Sequence, residues 1–203
     1  MRKTIVVLAN SVKHNKHCVA GKCINTKEWI RPVSDSFGKE LTNQQTTYSN
    51  KYGQYIVKPK QKIEMNFQSQ VPLIHQPDSY LIDNNQWIQR YKIDDAELYE
   101  YLDTPTSLWG NYNRIPYADI INKQIVISQS LYLVKSENLT LYYTKDQKRR
   151  AKFNYNSIGY DLPATDPEFD KIISDGKSIS GIICISLGEE YNGFCYKIVA
   201  TIF

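Results

Sequence analysis

Residues 5–34 read IVVLANSVKHNKHCVAGKCINTKEWIRPVS. Ile5–Leu8 is a continuous apolar, β-branched run, which is the signature of a buried strand. Residues 11–16 are polar and basic and read as a loop. Cys18-Val19-Ala20 follows as a second short strand, and Gly21 suits a bulge or a close approach of two backbones. Asn25-Thr26-Lys27 reads as a turn. Trp29-Ile30-Arg31 is a third strand, expected to stop at Pro32. Three strands joined by short turns are the mark of an antiparallel sheet or barrel.

The same pattern continues outward. Tyr55–Val57, Ile63–Phe67, Tyr80–Ile82 and Trp87-Ile88 offer further strands, with Asn84-Asn85 expected as the turn of a hairpin between the last two. Residues 42–51, rich in Thr, Asn, Gln, Ser and Tyr, read as an exposed connection. Residues 94–102 form the clearest helix. Aspartates stand at its start, and Leu98, Tyr101 and Leu102 share one face. Ile125–Ile127, Leu131–Val134, Leu139–Tyr143 and Ala151–Tyr155 are predicted strands. A short helix near 167–174 precedes the closing strands Ile182–Leu187 and Cys195–Ile202. Residues 104–117, with Pro105, Gly110 and Pro116, form the expected boundary between domains at 1–115 and 116–203.

At 203 residues the chain suits one large domain or two small ones. Each half then holds several short strands and one helix, which is the content of a small Greek-key barrel such as an OB-fold. A β-sandwich or a single mixed domain has the same content, so periodicity leaves the choice open.

Composition narrows the function classes. No apolar run approaches the ~18 residues of a membrane span. The N-terminal apolar stretch ends at Ala9 with no small-residue cleavage site after it, so it reads as a strand and the chain as cytoplasmic. Residues 1–62 carry 12 Lys and Arg against 3 Asp and Glu, whereas residues 78–119 carry 3 against 8. Such asymmetry suits a partner of polyanions. Tyrosine, at 16 residues, supplies rigid, half-polar contact area.

Four stretches could carry recognition. In the loop around Asn10, Ser11, Lys13, His14 and Lys16, the lysines would meet phosphates and the short polar side chains phosphates or base edges. Trp29 and Arg31 share a strand face, where a ring can stack a base and a guanidinium can hold its phosphate. The alternative places Trp29 in the core and pairs Arg31 with a carboxylate at the domain interface. Lys145, Lys148, Arg149, Arg150 and Lys152 run into Phe153 and Tyr155, a basic run meeting alternating aromatics, and this is the strongest single candidate for backbone contact. Asp166 before Pro167 reads as a helix cap, with a place beside Tyr160 at a pocket mouth as the alternative. His14-x-x-His17-Cys18-x4-Cys23 gathers metal-capable side chains. It lacks a second ligand pair, and its cysteines fall on opposite strand parities, so buried thiols are expected and neither metal nor cofactor.

Catalytic signatures are missing. There is no phosphate-cradling glycine loop, no nucleophile elbow and no HExxH. Binding is therefore expected rather than chemistry. A second reading gathers Lys13, His14, Arg31, Tyr160 and Asp166 around one pocket of an enzyme or sensor acting on a nucleotide or nucleic acid. A third makes the acidic 78–119 stretch and the aromatics the surface of a protein-interaction adaptor.

Leu8-Ala9-Asn10-Ser11-x-Lys13-His14, Cys18-x-Ala20-Gly21-Lys22 and Trp29-Ile30-Arg31-Pro32-Val33-Ser34 together resemble the opening of bacterial dual OB-domain proteins. Phe153-x-Tyr155, Tyr160-Asp161-Leu162-Pro163, Thr165-Asp166-Pro167, Ser186-Leu187-Gly188-Glu189 and Cys195-Tyr196-Lys197 resemble the same family. Residues 42–125 carry no motif of it. The resemblance implies two OB-like barrels in tandem, mainly β with a few short helices, in a prokaryotic defence or nucleic-acid-processing system that would supply a protein partner. It implies no catalytic residues. The expected ligand is nucleic acid, single-stranded DNA or RNA rather than duplex.

Overall fold

The structure is a computed structural model that describes residues 1–13, 16–176 and 179–203, without the side chain of Lys13. Strands make up 52% of the chain and helices 9%. The chain divides into two compact units, Met1–Tyr101 and Leu102–Phe203. Residues 102–115 belong with the second: Leu108 lies in its core, and Arg114–Pro116 pairs with its last strand.

The first unit is built on β1 (Arg2–Lys13), β2 (Lys16–Cys23), β3 (Trp29–Val33), β4 (Thr47–Asn50), β5 (Gly53–Ile56), β6 (Gln61–Gln70), β7 (Ser79–Ile82) and β8 (Trp87–Lys92). Five of them close a barrel in the order β1-β2-β3-β7-β6 and back to β1. Every pairing in that ring is antiparallel except β3 with β7. Ile5, Val7, Val19, Ile30, Ile63, Met65 and Phe67 fill it. Gly21 sits where β1 and β2 press together: a Cβ there would lie 2.1 Å from the Val6 carbonyl oxygen. Pro32 does not end β3, which continues to Val33 because its pairing passes there from β2 to β7.

Asn84-Asn85 does not make a hairpin. β7 and β8 never pair with each other; each pairs antiparallel with β6, β7 along Phe67–Gln70 and β8 along Gln61–Glu64. They are two segments of one interrupted strand. The Asp83 carboxylate accepts from the Asn85 N–H at 2.9 Å and sets the jog between them. Tyr80, Ile82 and Trp87 are buried on both sides of the jog, and this shared apolar face selects the partner. β8 also pairs in parallel with β4, and β4 antiparallel with β5, so an arm of sheet extends beyond the closed ring. The 42–51 stretch is thus partly strand.

After β8, α1 (Asp95–Leu98) runs into a 3-10 turn at Tyr99–Tyr101. Asp94 caps it, accepting from the Glu97 N–H while the Glu97 carboxylate accepts from the Asp94 N–H.

The second unit contains β9 (Arg114–Pro116), α2 (Tyr117–Ile121), β10 (Leu131–Lys135), β11 (Glu137–Tyr143), β12 (Arg149–Tyr155), β13 (Ile158–Pro163), α3 (Phe169–Ser174), β14 (Ile182–Tyr191) and β15 (Phe194–Ile202). One sheet runs β10-β14-β15-β9, the other β11-β12-β13. Only Ser136 separates β10 from β11, so one long strand serves both sheets. A parallel bridge between Ala164 and Val199 joins β13 to β15. The circuit β10/β11-β12-β13-β15-β14 thus repeats the order of the first unit, including its single parallel contact, with a helix between the third and fourth strands. This is the path of an OB-like barrel, and the chain carries two in tandem.

Ile125–Ile127 is not a strand. It turns back after α2 and places Ile127 against Ile115, Ile120, Leu187 and Cys195, so its apolarity serves a buried corner. The helix expected from Pro167 starts at Phe169, after a turn. Helix α2 had no cap signal in the sequence, and its N-cap residue, Pro116, makes no side-chain bond.

Candidate nucleic-acid interface

The sheet β11-β12-β13 separates its residues by parity. Ala151, Phe153 and Tyr155 turn into the core at 0%, 1% and 8% exposure. Arg150, Lys152 and Asn154 therefore share the other face. Register places Arg150 between Tyr142 and Pro163, and Lys152 between Thr140 and Asp161. Asp161 ties this face together. Arg150 Nε donates to it at 3.0 Å, and the Tyr142 hydroxyl donates at 2.6 Å. That bond pushes the Tyr142 phenol above its ordinary pKa.

The β11–β12 turn extends the face. It is closed by the Thr144 N–H donating to the Lys148 carbonyl at 2.9 Å and by the Thr144 hydroxyl accepting from the Lys148 N–H at 3.1 Å. Lys145, Lys148 and Lys152 are exposed and make no ion pair among the described residues. Three exposed ammonium groups thus stand along one turn and one strand, with Asp146 in the turn and Asp161 opposite Lys152 as the nearby acids.

Four members of the basic-aromatic run behave otherwise. Arg149 points toward α3, where it pairs with Asp170, donates to the Asp166 carbonyl at 3.3 Å and lies 5.7 Å from the Phe169 ring centre. Phe153 stacks on Tyr160 in the core, ring centres 5.5 Å apart. The Tyr155 hydroxyl donates to the Pro105 carbonyl at 2.8 Å. Arg150 is half-buried in its bond with Asp161. The expected contact of Phe153 and Tyr155 with nucleic acid is therefore corrected: the alternation that exposes Lys152 buries both rings.

In the first unit the expected contact surface is mostly covered. All five residues of β3 are buried. Lys22 Nζ lies 5.3 Å from the Trp29 ring and donates to the Tyr101 carbonyl at 2.9 Å. Arg31 stands 3.9 Å from the buried Asp78 carboxylate. Trp29 accordingly lies in the core and Arg31 beside a carboxylate, but Asp78 belongs to the same compact unit, so the carboxylate is not the expected one at a domain interface. Asn10 is buried as well, donating from Nδ2 to the Val57 carbonyl at 2.7 Å. That bond turns its Oδ1 toward His17 Nδ1, 2.9 Å away, and His17 Nε2 meets Asn43 Oδ1 at 2.7 Å. Ser11 and Lys16 are half-buried at the strand ends. His14 and the side chain of Lys13 lie outside the described residues.

The pocket reading loses its carboxylate and its phenol. The Asp166 carboxylate accepts from the Glu168 N–H at 2.8 Å and the Ile202 N–H at 2.7 Å, tying the start of α3 to the end of β15. Burial holds it above the usual carboxylate range against those bonds. The buried Tyr160 hydroxyl donates to the Gly110 carbonyl at 3.0 Å. The four cysteines form no disulfide, and burial pushes the Cys195 thiol up to about 11. Among the described residues no three His, Cys, Asp or Glu side chains come together to hold a metal ion. None of the described helices is long and apolar enough to cross a membrane.

Sequence reasoning missed Tyr142, Thr140 and Asp161 as members of the open face. The signal was the alternation Leu139-Thr140-Leu141-Tyr142, which sets Thr140 and Tyr142 opposite the two leucines.

No curated protein matches the chain. Among solved structures, a chain from the crystal structure of the tetrameric p202 HIN2 is similar at 8% sequence identity and a TM-score of 0.30, over 99% of this chain and 88% of that one. The family model described as the dual OB-containing domain matches residues 3–202, nearly the whole chain, in accord with the two barrel circuits. The chain belongs to the dual OB-containing domain family.

Proposed function

We propose that the protein binds single-stranded nucleic acid across the outer face of β11-β12-β13. OB-fold domains generally bind nucleic acids, on the face of the second and third strands and with the loop between the first and second. In the second unit those positions are β12, β13 and the 144–148 turn. The observation that carries the reading is the coincidence of that face with Lys145, Lys148 and Lys152, all exposed and without ion pairs among the described residues. Lysines there track phosphates, and Arg150, with Tyr142, supplies a flat surface against a base. A flat sheet face with aromatic support suits unpaired bases better than the stacked interior of a duplex.

Fluorescence anisotropy with labelled single-stranded DNA, single-stranded RNA and duplex, across a salt series, tests this. Affinity falls steeply with salt, and the K145A/K148A/K152A variant binds more weakly with a log–log salt slope shallower by about 2, since each single-strand phosphate contact contributes roughly 0.7. Equal binding by variant and parent, or no binding at tens of micromolar protein, overturns the reading.

A further inference from the structure

The first unit carries a cationic, aromatic groove away from its closed ring. It lies on the β8-β4-β5 arm, between the turn that joins β4 to β5 and strand β8, with a volume of about 610 Å³. That size lies within the ~300–1,000 Å³ of small-ligand sites. Its lining includes Lys51, Arg90 and Lys92 and no acidic residue. Arg90 donates to Glu64 from Nε at 2.9 Å and from Nη2 at 2.8 Å. Arg2 shares the same carboxylate, so the pairing leaves positive charge in excess.

Two tyrosines flank these cations. Tyr52 is 75% exposed and Tyr91 56%. Their presentation is built into the backbone. The β6–β8 register shifts between Lys62 and Ile63, which face Tyr91 and Gln89, so Arg90 is the extra residue of a bulge and is exposed beside Tyr91. Tyr52 sits at the tip of the β4–β5 hairpin, its N–H donating to Asn50 Oδ1 at 2.8 Å. The Tyr55 hydroxyl donates to the Tyr52 carbonyl at 3.0 Å and braces the tip. Lys51 Nζ lies 4.8 Å from the Tyr52 ring centre, and Lys62 Nζ lies 5.0 Å from that of Tyr91. On the groove floor Asn50 donates to Gln89 Oε1 at 3.0 Å. Glu64 holds Arg90 and Glu97 holds Lys62 Nζ at 3.1 Å, whereas Lys51 and Lys92 have no ion pair among the described residues. Exposed rings beside those two ammonium groups and over amide side chains match the chemistry of an unpaired nucleotide: a π face, a phosphate and a hydrogen-bonding base edge.

We propose that this groove is a second nucleic-acid contact, holding one or two nucleotides of a single strand, with Tyr52 and Tyr91 stacking on bases and Lys51 and Lys92 at phosphates. It takes the same class of ligand as the β11-β12-β13 face but at separate residues, and it stands beside that reading rather than on it. The lysines and tyrosines are exposed side chains, so their replacement leaves the cores intact.

The full chain, crosslinked by light to single strands bearing 5-iodouracil and mapped by mass spectrometry, is the test, with affinities measured in parallel for Y52A/Y91A and Y52F/Y91F. Adducts at Tyr52 or Tyr91 are expected. So are an affinity loss of about tenfold in the alanine variant and near-parent affinity in the phenylalanine variant, which keeps the rings. Unchanged affinity in Y52A/Y91A overturns the groove. If K145A/K148A/K152A still weakens binding, the β12 face survives that result. Conversely, adducts confined to Tyr52 or Tyr91, with K145A/K148A/K152A binding normally, support the groove and remove the β12 face. Absence of binding by the parent protein removes both.

Discussion

Lys197 is fully buried on β15, where Nζ donates to the Gly110 carbonyl at 2.7 Å and lies 5.2 Å from the Tyr160 ring centre. No carboxylate pairs with it among the described residues. Burial lowers its pKa from 10.5 to about 8. Below about pH 8 the ammonium is charged in both folded and unfolded chains, and the cost of burying it is fully present. Between about 8 and 10.5 the unfolded chain holds a proton that the folded chain has shed, so stability rises with pH. Above 10.5 the cost is gone. Methionine fills similar volume without charge, and Gly110 keeps its bond from Tyr160. Lys197→Met is therefore expected to stabilise the protein by roughly 1–3 kcal/mol at pH 7 in urea unfolding. That advantage shrinks as pH rises from 8 to 10.5. A variant less stable than the parent at pH 7 would show the ammonium to be well solvated or paired. Gly21 shows what one residue can disclose in advance: its lack of a side chain suits a bulge or a close approach, and the register of β1 shifts just past its partner Val7 while an added Cβ would lie 2.1 Å from the Val6 oxygen.

At the scale of elements, the outer face of β11-β12-β13 gathers Arg150 and Tyr142 on the Asp161 carboxylate, which accepts from both. If nucleic acid lies on this face, that carboxylate repels phosphate and occupies a guanidinium. Asp161→Asn then tightens binding several-fold at low salt, with the gain fading as salt screens it. Weaker or unchanged binding would place the strand elsewhere. Segment positions were largely legible at this scale: the three opening strands, the β14–β15 pair and the capped helix at Asp94 all follow from local pattern. Partners were less so. Asn84-Asn85 correctly marks a bend, but a bend does not say whether the chain folds back or runs on. The buried faces of Tyr80, Ile82 and Trp87 against β6 decide that it runs on.

For the whole molecule, each compact unit has apolar clusters of its own, around Ile63 and Phe67 in the first and around Phe153, Ile185 and Val199 in the second. A core within each unit is what independent folding requires, although at about 100 residues the margin is small. Residues 102–203 expressed alone are expected to unfold cooperatively and to keep salt-sensitive binding to a single strand, more weakly than the full chain because the β4–β8 groove is missing. A soluble, folded fragment that binds as tightly as the full chain would leave the first unit without a part in recognition. The sequence by itself determined most of the strand segments, the helix cap and the family. Only the tertiary structure decided which side of each strand meets water. Alternation divides a strand into two faces, but Trp29 and Arg31 are buried because both faces of β3 are covered, while Lys152 is open because one face of β12 is not. What covers a face is set by strands and loops distant in sequence, whose arrival no local pattern records.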